Sequence, residues 1–444
     1  MASIPYDKIK KAHNISTELK EVVDKPKQFT KINKQTFLDA YLQVPEKATR
    51  DITVMINFPL CNFICGYCSF PVEKYTPRIY VKTIEKILSE IHQLSEVLSR
   101  HCVIALHFSG GTPSLLSGDD IEAIIGSLEM HTKIKGPITI EMNPEDVTDE
   151  KLTEYSEIGV DNIKIGVQTI NNYLLEYLRR FTHLKNTVDM SLEIGKEYYP
   201  ELVVELLYNF PNSSVEKIAA DIAYFLDYKI KQFSFYPLLV FPDTSLQRFI
   251  EKGKIQPVPS LMEEYKTYLT LDNILHGKEF EELRLLYYVA QELKEIVYVP
   301  SFFEALFTPT LGLGPSAITS LSNAMVINTP DLKRYLETPL DALAYEGTVA
   351  DQVWKDLFNA MLFAEEYRIN LPVYKDNSSR GVLANLLKIL ESKDIILQNN
   401  QKQATFTAFG TNVFYFLYRF YVMSTIKFLS KLKRNWNSMQ DAFF

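Results

Sequence analysis

The stretch "CNFICGYCSF" (61–70) places Cys61, Cys65 and Cys68, three of the four cysteines in the chain, within eight positions. The spacing C-x3-C-x2-C fits neither the paired C-x2-C knuckles of structural zinc nor a lone redox C-x-x-C. An iron–sulfur cube normally takes four thiolates, so three from one loop leave one iron open to an outside ligand. An open coordination position is what a catalytic metal needs. The competing use is a zinc site completed by a distant histidine or by Cys102, or plain burial of the thiols. Cys102, in "RHCVIALHF", stands at a strand entrance and reads as a small core residue, not as a ligand.

Such a loop must be held by regular elements, and the chain supplies them as short apolar runs alternating with helical patterns. "ITVMINF" (52–58) reads as a strand; after the cysteines, Ile84, Ile87, Leu88, Ile91, Leu94, Val97 and Leu98 recur at the spacing of one buried helix face. Further strands are expected at 103–108, 138–142, 162–167, 202–208 and 232–236, with helical stretches between them. Six strands alternating with helices predict an α/β protein with parallel pairing and right-handed crossovers, closing as a partial (β/α)6 barrel. A doubly wound open sheet is the alternative. The expected division is an N-terminal arm (1–50), a core (51–306) and a helix-rich C-terminal domain (307–444) that covers the substrate, entered through the Gly/Pro-rich "FTPTLGLGPSAITS" (307–320).

In β/α barrels functional groups collect at the carboxyl ends of the strands. The second strand runs into "SGGTPS" (109–114), where Gly110 and Gly111 allow close backbone approach to a carboxylate or phosphate ahead of a helix. The third ends on Glu141 in "EMNPED" and the fourth on Gln168 in "GVQT". His107 reads as packed or hydrogen-bonded, and His183, in "FTH", is better placed for a role.

The 444 residues are 46% hydrophobic and 23% charged, enough for a sizeable core. Lys and Arg number 47 against 55 acidic residues, a net charge of -8, with a pI near 5.6. That balance argues against a sequence-independent grip on nucleic acid or an anionic membrane and leaves a small-molecule substrate as the expected partner. The opening "MASIPYDKIKKAHN" has no apolar segment of signal-peptide type, so a cytoplasmic protein with reduced thiols is expected. The most apolar run, "VFYFLYRFYVM" (413–423), is interrupted by Arg419 and reads as a core or amphipathic helix. The basic "IKFLSKLKRNWNS" (426–438) reads as a solvated helix face.

Taken in order, "PLCNFICGYCSF", "GGTPS", "EMNP", "IGVQT", "YLRRFTH", "ELLYNFP" and "LGLGPSA" resemble the motifs of radical S-adenosylmethionine (SAM) enzymes, in their oxygen-independent coproporphyrinogen III oxidase-like branch. The resemblance implies a [4Fe–4S] cluster on Cys61, Cys65 and Cys68, with Tyr67 beside it and SAM on the open iron. It implies Gly110, Gly111 and Thr112 at the amino-acid end of SAM, and Glu141, Gln168 and Arg180 as SAM contacts of the catalytic centre. Glu205 stands where the branch usually has an aspartate facing the cofactor. Gly312 and Gly314 would lie near a second SAM or the substrate. The implied chemistry is one-electron cleavage of SAM to methionine and a 5′-deoxyadenosyl radical, fed by a low-potential ferredoxin or flavodoxin.

The departures narrow the activity. Met55 and Asn57 replace the Tyr and His that the branch carries before its first cysteine, and Phe70 replaces a further cysteine typical of the true oxidases. Haem-trafficking members carry His-Asn-x-x-Tyr-Trp, whereas Trp354 and Trp436 here have no such context. The remaining machinery is similar to that of class C methyltransferases, in which two SAM molecules share one pocket and a methyl or methylene group goes to an unactivated carbon. Oxidative decarboxylation or modification of a porphyrin and a non-catalytic haem or cluster carrier are the alternatives.

Overall fold

A computed structural model of the chain describes residues 6–23, 29–33, 51–211, 214–293, 309–321, 324–338, 343–348, 368–373, 377–398 and 402–420 apart from 408, with isolated positions at 357, 360, 361, 400 and 422. Trp354, Trp436 and the basic run 426–438 lie outside the described residues.

Six parallel strands form the centre: β1 (Asp51–Phe58), β2 (Cys102–Gly110), β3 (Ile138–Met142), β4 (Asn162–Gln168), β5 (Val203–Tyr208) and β6 (Gln232–Pro237), neighbours in that order. Each lies within two residues of its expected bounds. β4 is buried throughout and β1 at all but its first residue. Near-continuous apolar strands of this kind are what a parallel sheet covered on both faces requires.

The intervening helices are α1 (Pro77–Gln93), α2 (Gly118–Glu129), α3 (Asp149–Glu157), α4 (Asn172–Leu178), α5 (Lys185–Tyr198), α6 (Val215–Asp227), α7 (Ser245–Glu251) and α8 (Leu261–His276). Their starts are written locally. The side chains of Thr76, Ser117, Thr148, Asn171, Thr244 and Ser260 each accept from a backbone N–H of the first turn. Each cap contributes about 1 kcal/mol.

The sheet extends beyond the six strands. On the β6 side β7 (Phe280–Arg284) and β8 (Tyr287–Ala290) form an antiparallel hairpin. On the other side β9 (Thr310–Leu313) runs parallel to β1, followed by antiparallel β10 (Ile318–Leu321), β11 (Ala324–Asn328) and β12 (Leu343–Thr348), with the strand Phe29–Asn33 outermost. The expected C-terminal helices are present as α9 (Leu332–Glu337), α10 (Asn377–Ser392) and the helical run 409–420. The strands among them escaped the sequence reading because they are short, without a sustained period-2 pattern. An N-terminal helix, Tyr6–Val23, buries Ile9, Ala12, Ile15 and Leu19, and its Ser16 Oγ donates to Val413 O at 3.0 Å. No helix among the described residues is long and apolar enough to cross a membrane.

One buried carboxylate fastens the extension to the core. Glu90, 1% exposed on the inner face of α1, accepts from Gly314 N, from Asn328 Nδ2 and from the Tyr335 hydroxyl, each at 2.8 Å. Gly314 can offer its N–H there because it has φ +96° and lies against Asn57 O, where a Cβ would collide. Gly312 similarly packs on Ile318, with a Cβ position only 2.5 Å from Ile318 O. Glu90→Ala strands three buried donors and is expected to cost about 3 kcal/mol. A denaturant titration checks it; a midpoint unchanged at constant slope would show that the carboxylate is dispensable.

Candidate functional site

The carboxyl ends of β1 to β6 surround a cavity of about 280 Å³. Into it the fold brings Cys61, Cys65, Tyr67, Cys68, Gly110, Gly111, Thr112, Glu141, Gln168, Arg180 and Glu205. It does not bring Gly312 or Gly314, which stand between β9, β10 and the end of β1. Met55 and Asn57 are also absent from the lining; both are buried, and Asn57 Nδ2 donates to Pro315 O.

The cysteine loop is held from three sides. Leu60–Cys61 pairs with Glu73–Lys74, and Tyr75 N–H donates to Cys61 O at 2.9 Å. Gly66 donates to Leu178 O and accepts from Leu246 N–H, both at 2.8 Å, so α4 and α7 clamp the middle of the loop. A turn then brings Cys68 N–H to 3.2 Å from Cys65 O. The glycine pair presses on Cys61: Gly111 N–H donates to Phe58 O at 2.6 Å, and a Cβ on Gly111 would sit 3.0 Å from Cys61 Sγ. Burial pushes the Cys61 thiol up to about 11 and the Cys68 thiol up to about 12, with the neighbouring Cys65 adding to both. Such thiols are poor free nucleophiles, and loading by a metal must release their protons.

Opposite the loop, β3 and β4 supply charge. Glu141 Oε1 lies 3.2 Å from Nε2 of the fully buried His107. Burial opposes the Glu141 carboxylate, but His107, Lys164 and Gly110 N–H outweigh it and hold its pKa below the ordinary value. Glu205 behaves in the other sense. Burial and the charge of Glu141 push it up to about 7 against the pull of Lys164 and Arg180. Gln168 reaches the cavity with φ +75°, a conformation that costs a non-glycine residue about 1–3 kcal/mol and concentrates at functional sites.

Arg180 is aimed by a relay the sequence showed only in part. Its Nη1 donates to Gly166 O at 2.7 Å and lies 3.0 Å from His183 Nδ1, while its guanidinium sits 5.9 Å over the Tyr67 ring. His183 Nε2 is 3.1 Å from Glu145, whose other oxygen accepts from Thr182 Oγ1 at 2.8 Å. Burial and the Arg180 charge depress the His183 pKa. A neutral ring donating Nε2–H to Glu145 therefore turns Nδ1 as acceptor toward Arg180. His183 is thus a positioning residue outside the cavity lining, and Arg180 Nε remains buried without a hydrogen-bond partner among the described residues.

Residues 55–250 match the Radical SAM superfamily. The chain carries a radical SAM domain. The fold superposes on coproporphyrinogen III oxidase (HemN) from Escherichia coli with a TM-score of 0.70 and 16% identity, over 89% of this chain and 94% of that one. Among relatives, "Heme chaperone HemW" of Lactococcus lactis subsp. lactis (strain IL1403) is 28% identical over 45% of this chain and 52% of its own length. That of Bacillus subtilis (strain 168) is 23% identical over 74% of this chain and 92% of its own. "Anaerobilin synthase" of Escherichia coli O157:H7 is 26% identical over 49% of each. The chain thus spans only about half of the L. lactis relative.

A radical SAM domain binds a [4Fe–4S] cluster and SAM, and the residues present fit both. Among the described residues no three His, Cys, Asp or Glu side chains sit close enough for a single metal ion. Thiolates of a cube cap different irons and need the wider spacing. The unpartnered Arg180 Nε and the glycine cradle suit the carboxylate of an amino acid, and Glu141 suits an ammonium or ribose hydroxyls. The sequence reading missed Lys164, 3% exposed beside Glu141 on β4, and Arg419, because a lone basic residue inside an apolar run carries no motif.

Cys65→Ala is expected to abolish the cluster absorbance, whereas Cys102→Ala, at a strand start away from the cavity, retains it. Anaerobic reconstitution followed by visible absorption separates them. In the cofactor-free protein, Glu205 loses stability as pH rises from 4.5 through about 7, because its folded pKa lies above the unfolded one. Glu205→Gln is therefore expected to raise stability by about 3 kcal/mol above neutrality and by nothing below the lower of those values. Equal effects in acid and at neutral pH would remove the shifted carboxyl.

Proposed function

We propose that this protein is a catalytically active radical SAM enzyme acting on a small molecule, by class C methyl or methylene transfer to an unactivated carbon. The observation that carries the reading is the convergence of eleven site residues, from the cysteine loop to Glu205, on one cavity. Cys61, Cys65 and Cys68 would hold a cluster able to supply one electron for cleavage of SAM to methionine and a 5′-deoxyadenosyl radical. The chain's own part is to hold and orient. Arg180 and the Gly110–Gly111 turn fix the amino-acid end, Glu141 and Gln168 the opposite end, and helix 409–420 closes the wall through Tyr418 and Arg419. Exclusion of water protects a radical from quenching by side reactions.

Glu141 and Glu205, with pKa values displaced in opposite directions, support a centre that handles a proton as well as a hydrogen atom. A second SAM would be the methyl or methylene donor in this reading. Residues 307–444 act in this reading as the covering domain over the core (51–306), and residues 1–50 as an N-terminal arm. A low-potential ferredoxin or flavodoxin delivers the electron in the cytoplasm. Haem carriage is the second reading, favoured by the relatives named heme chaperone.

The reconstituted protein, incubated anaerobically with SAM and dithionite, is expected to yield 5′-deoxyadenosine by mass spectrometry. S-adenosylhomocysteine in the same sample supports methyl transfer. SAM left intact by a protein with a full cluster sinks the enzyme reading, and stoichiometric haem binding would then replace it.

A further inference from the structure

The charged groups of the cavity divide into two sets. Glu141, Lys164, Arg180 and Glu205 come from the strands and loops assigned to SAM. The wall built from residues 238–241, 285–287 and 418–422 is aliphatic and aromatic, and among its described lining residues Arg419 is the only charged one.

Arg419 is itself 6% exposed and held from behind. Its Nη2 donates to Glu264 Oε2 at 2.8 Å and its Nε to Glu264 Oε1. Glu264, 2% exposed, also accepts from the Tyr415 hydroxyl at 2.9 Å and from Asn209 Nδ2 at 3.1 Å. One edge of the guanidinium is thereby fixed. Nη1, on the other side, is buried and has no hydrogen-bond partner among the described residues. A buried donor left unsatisfied costs stability, and Arg419 lines the cavity, so an acceptor brought by a ligand would satisfy it.

The charge balance selects the acceptor. Glu264 already neutralises Arg419, so a carboxylate placed on Nη1 would leave a net negative charge in an apolar wall and bear its own desolvation cost. An uncharged carbonyl oxygen takes the charge-assisted hydrogen bond without either penalty. We propose that Arg419 Nη1 is a specificity-determining anchor for an uncharged carbonyl, of an amide, ester or ketone, on an otherwise apolar substrate. What happens to the bound molecule rests on the enzyme reading above; its capture does not.

Three eight-carbon probes test this by calorimetry on the anaerobically reconstituted full chain: octanamide, octanoate and octylammonium. Octanamide is expected to bind about tenfold or more tightly than either ion, a difference typical of one hydrogen bond to a charged donor. Arg419→Met combined with Glu264→Gln removes the donor without stranding a charge and is expected to abolish the preference, with melting temperature and cluster absorbance reporting the fold. Octanoate binding as tightly as octanamide, absence of octanamide binding at millimolar concentration, or a preference retained in the folded double variant overturns the proposal. The probe ranking in the unmodified protein stands as a test even where the double variant does not fold. 5′-Deoxyadenosine measured on the same preparation separates the two readings. SAM cleavage without the octanamide preference removes the anchor alone, and the preference without SAM cleavage removes the enzyme reading alone.

Discussion

Parallel pairing is the constraint from which the rest of this structure follows. Strands that all run one way send every return connection through a crossover, and every outgoing loop leaves the same edge of the sheet. The cysteine loop after β1, the Gly-Gly turn after β2, Glu141 on β3 and Gln168 at the end of β4 are distant in sequence and adjacent in space for that single reason. The side chains need no attraction for one another to meet. Like charges such as Glu141 and Glu205 can even be driven together, because burial of the strands that carry them is worth far more than their repulsion costs.

Backbone hydrogen bonds then convert proximity into a defined site. Gly66 is gripped by α4 and α7, and the end of α4 also sets where the chain turns toward Arg180. Loop and arginine therefore share a support. Arg179, just past α4, adopts the left-handed conformation, reversing the chain so that Arg180 faces inward over Tyr67. His183 and Glu145 complete the arrangement from outside the cavity. A displacement of α4 would move the cysteine loop and Arg180 together.

The strands and the site were legible in the sequence to different depths. β1 to β6 announced themselves because strands buried on both faces leave unbroken apolar runs. The positions of the cysteines, Gly110–Gly111, Glu141 and Gln168 were legible because the fold sends the ends of parallel strands to one rim, whereas Arg180, past α4, and Glu205 came from the resemblance; the structure brings all of them to one cavity. Strands β9 to β12 were not legible, since runs of four to six residues match many local structures and take their conformation from neighbours. Gly312 and Gly314 illustrate the limit. Their sequence pattern suits a ligand turn and a packing contact equally, and only the positions of Ile318 and Asn57 show what their missing Cβ atoms make room for. The partners of Arg419 were hidden for a related reason, as Asn209 and Glu264 lie far from it in sequence.

The Arg419–Glu264 pair is a poor explanation for stability. Replacing a buried ion pair by apolar side chains of similar size is often neutral or stabilising, whereas removing one partner is costly. Its value lies in direction. Asn209 takes φ +67° directly after β5 and reaches Glu264 on α8, while Tyr415 reaches it from the same helical run as Arg419. Three elements thus meet on one carboxylate, and the helix that carries Tyr418 is registered against the barrel by polar geometry, where an apolar face alone would leave it free to slide. The same carboxylate turns the guanidinium so that one of its edges is committed to the protein. In an apolar wall, a charge fixed in this way supplies orientation without leaving the wall ionic, and the barrel gains a boundary whose shape and polarity are set independently of the cofactor end.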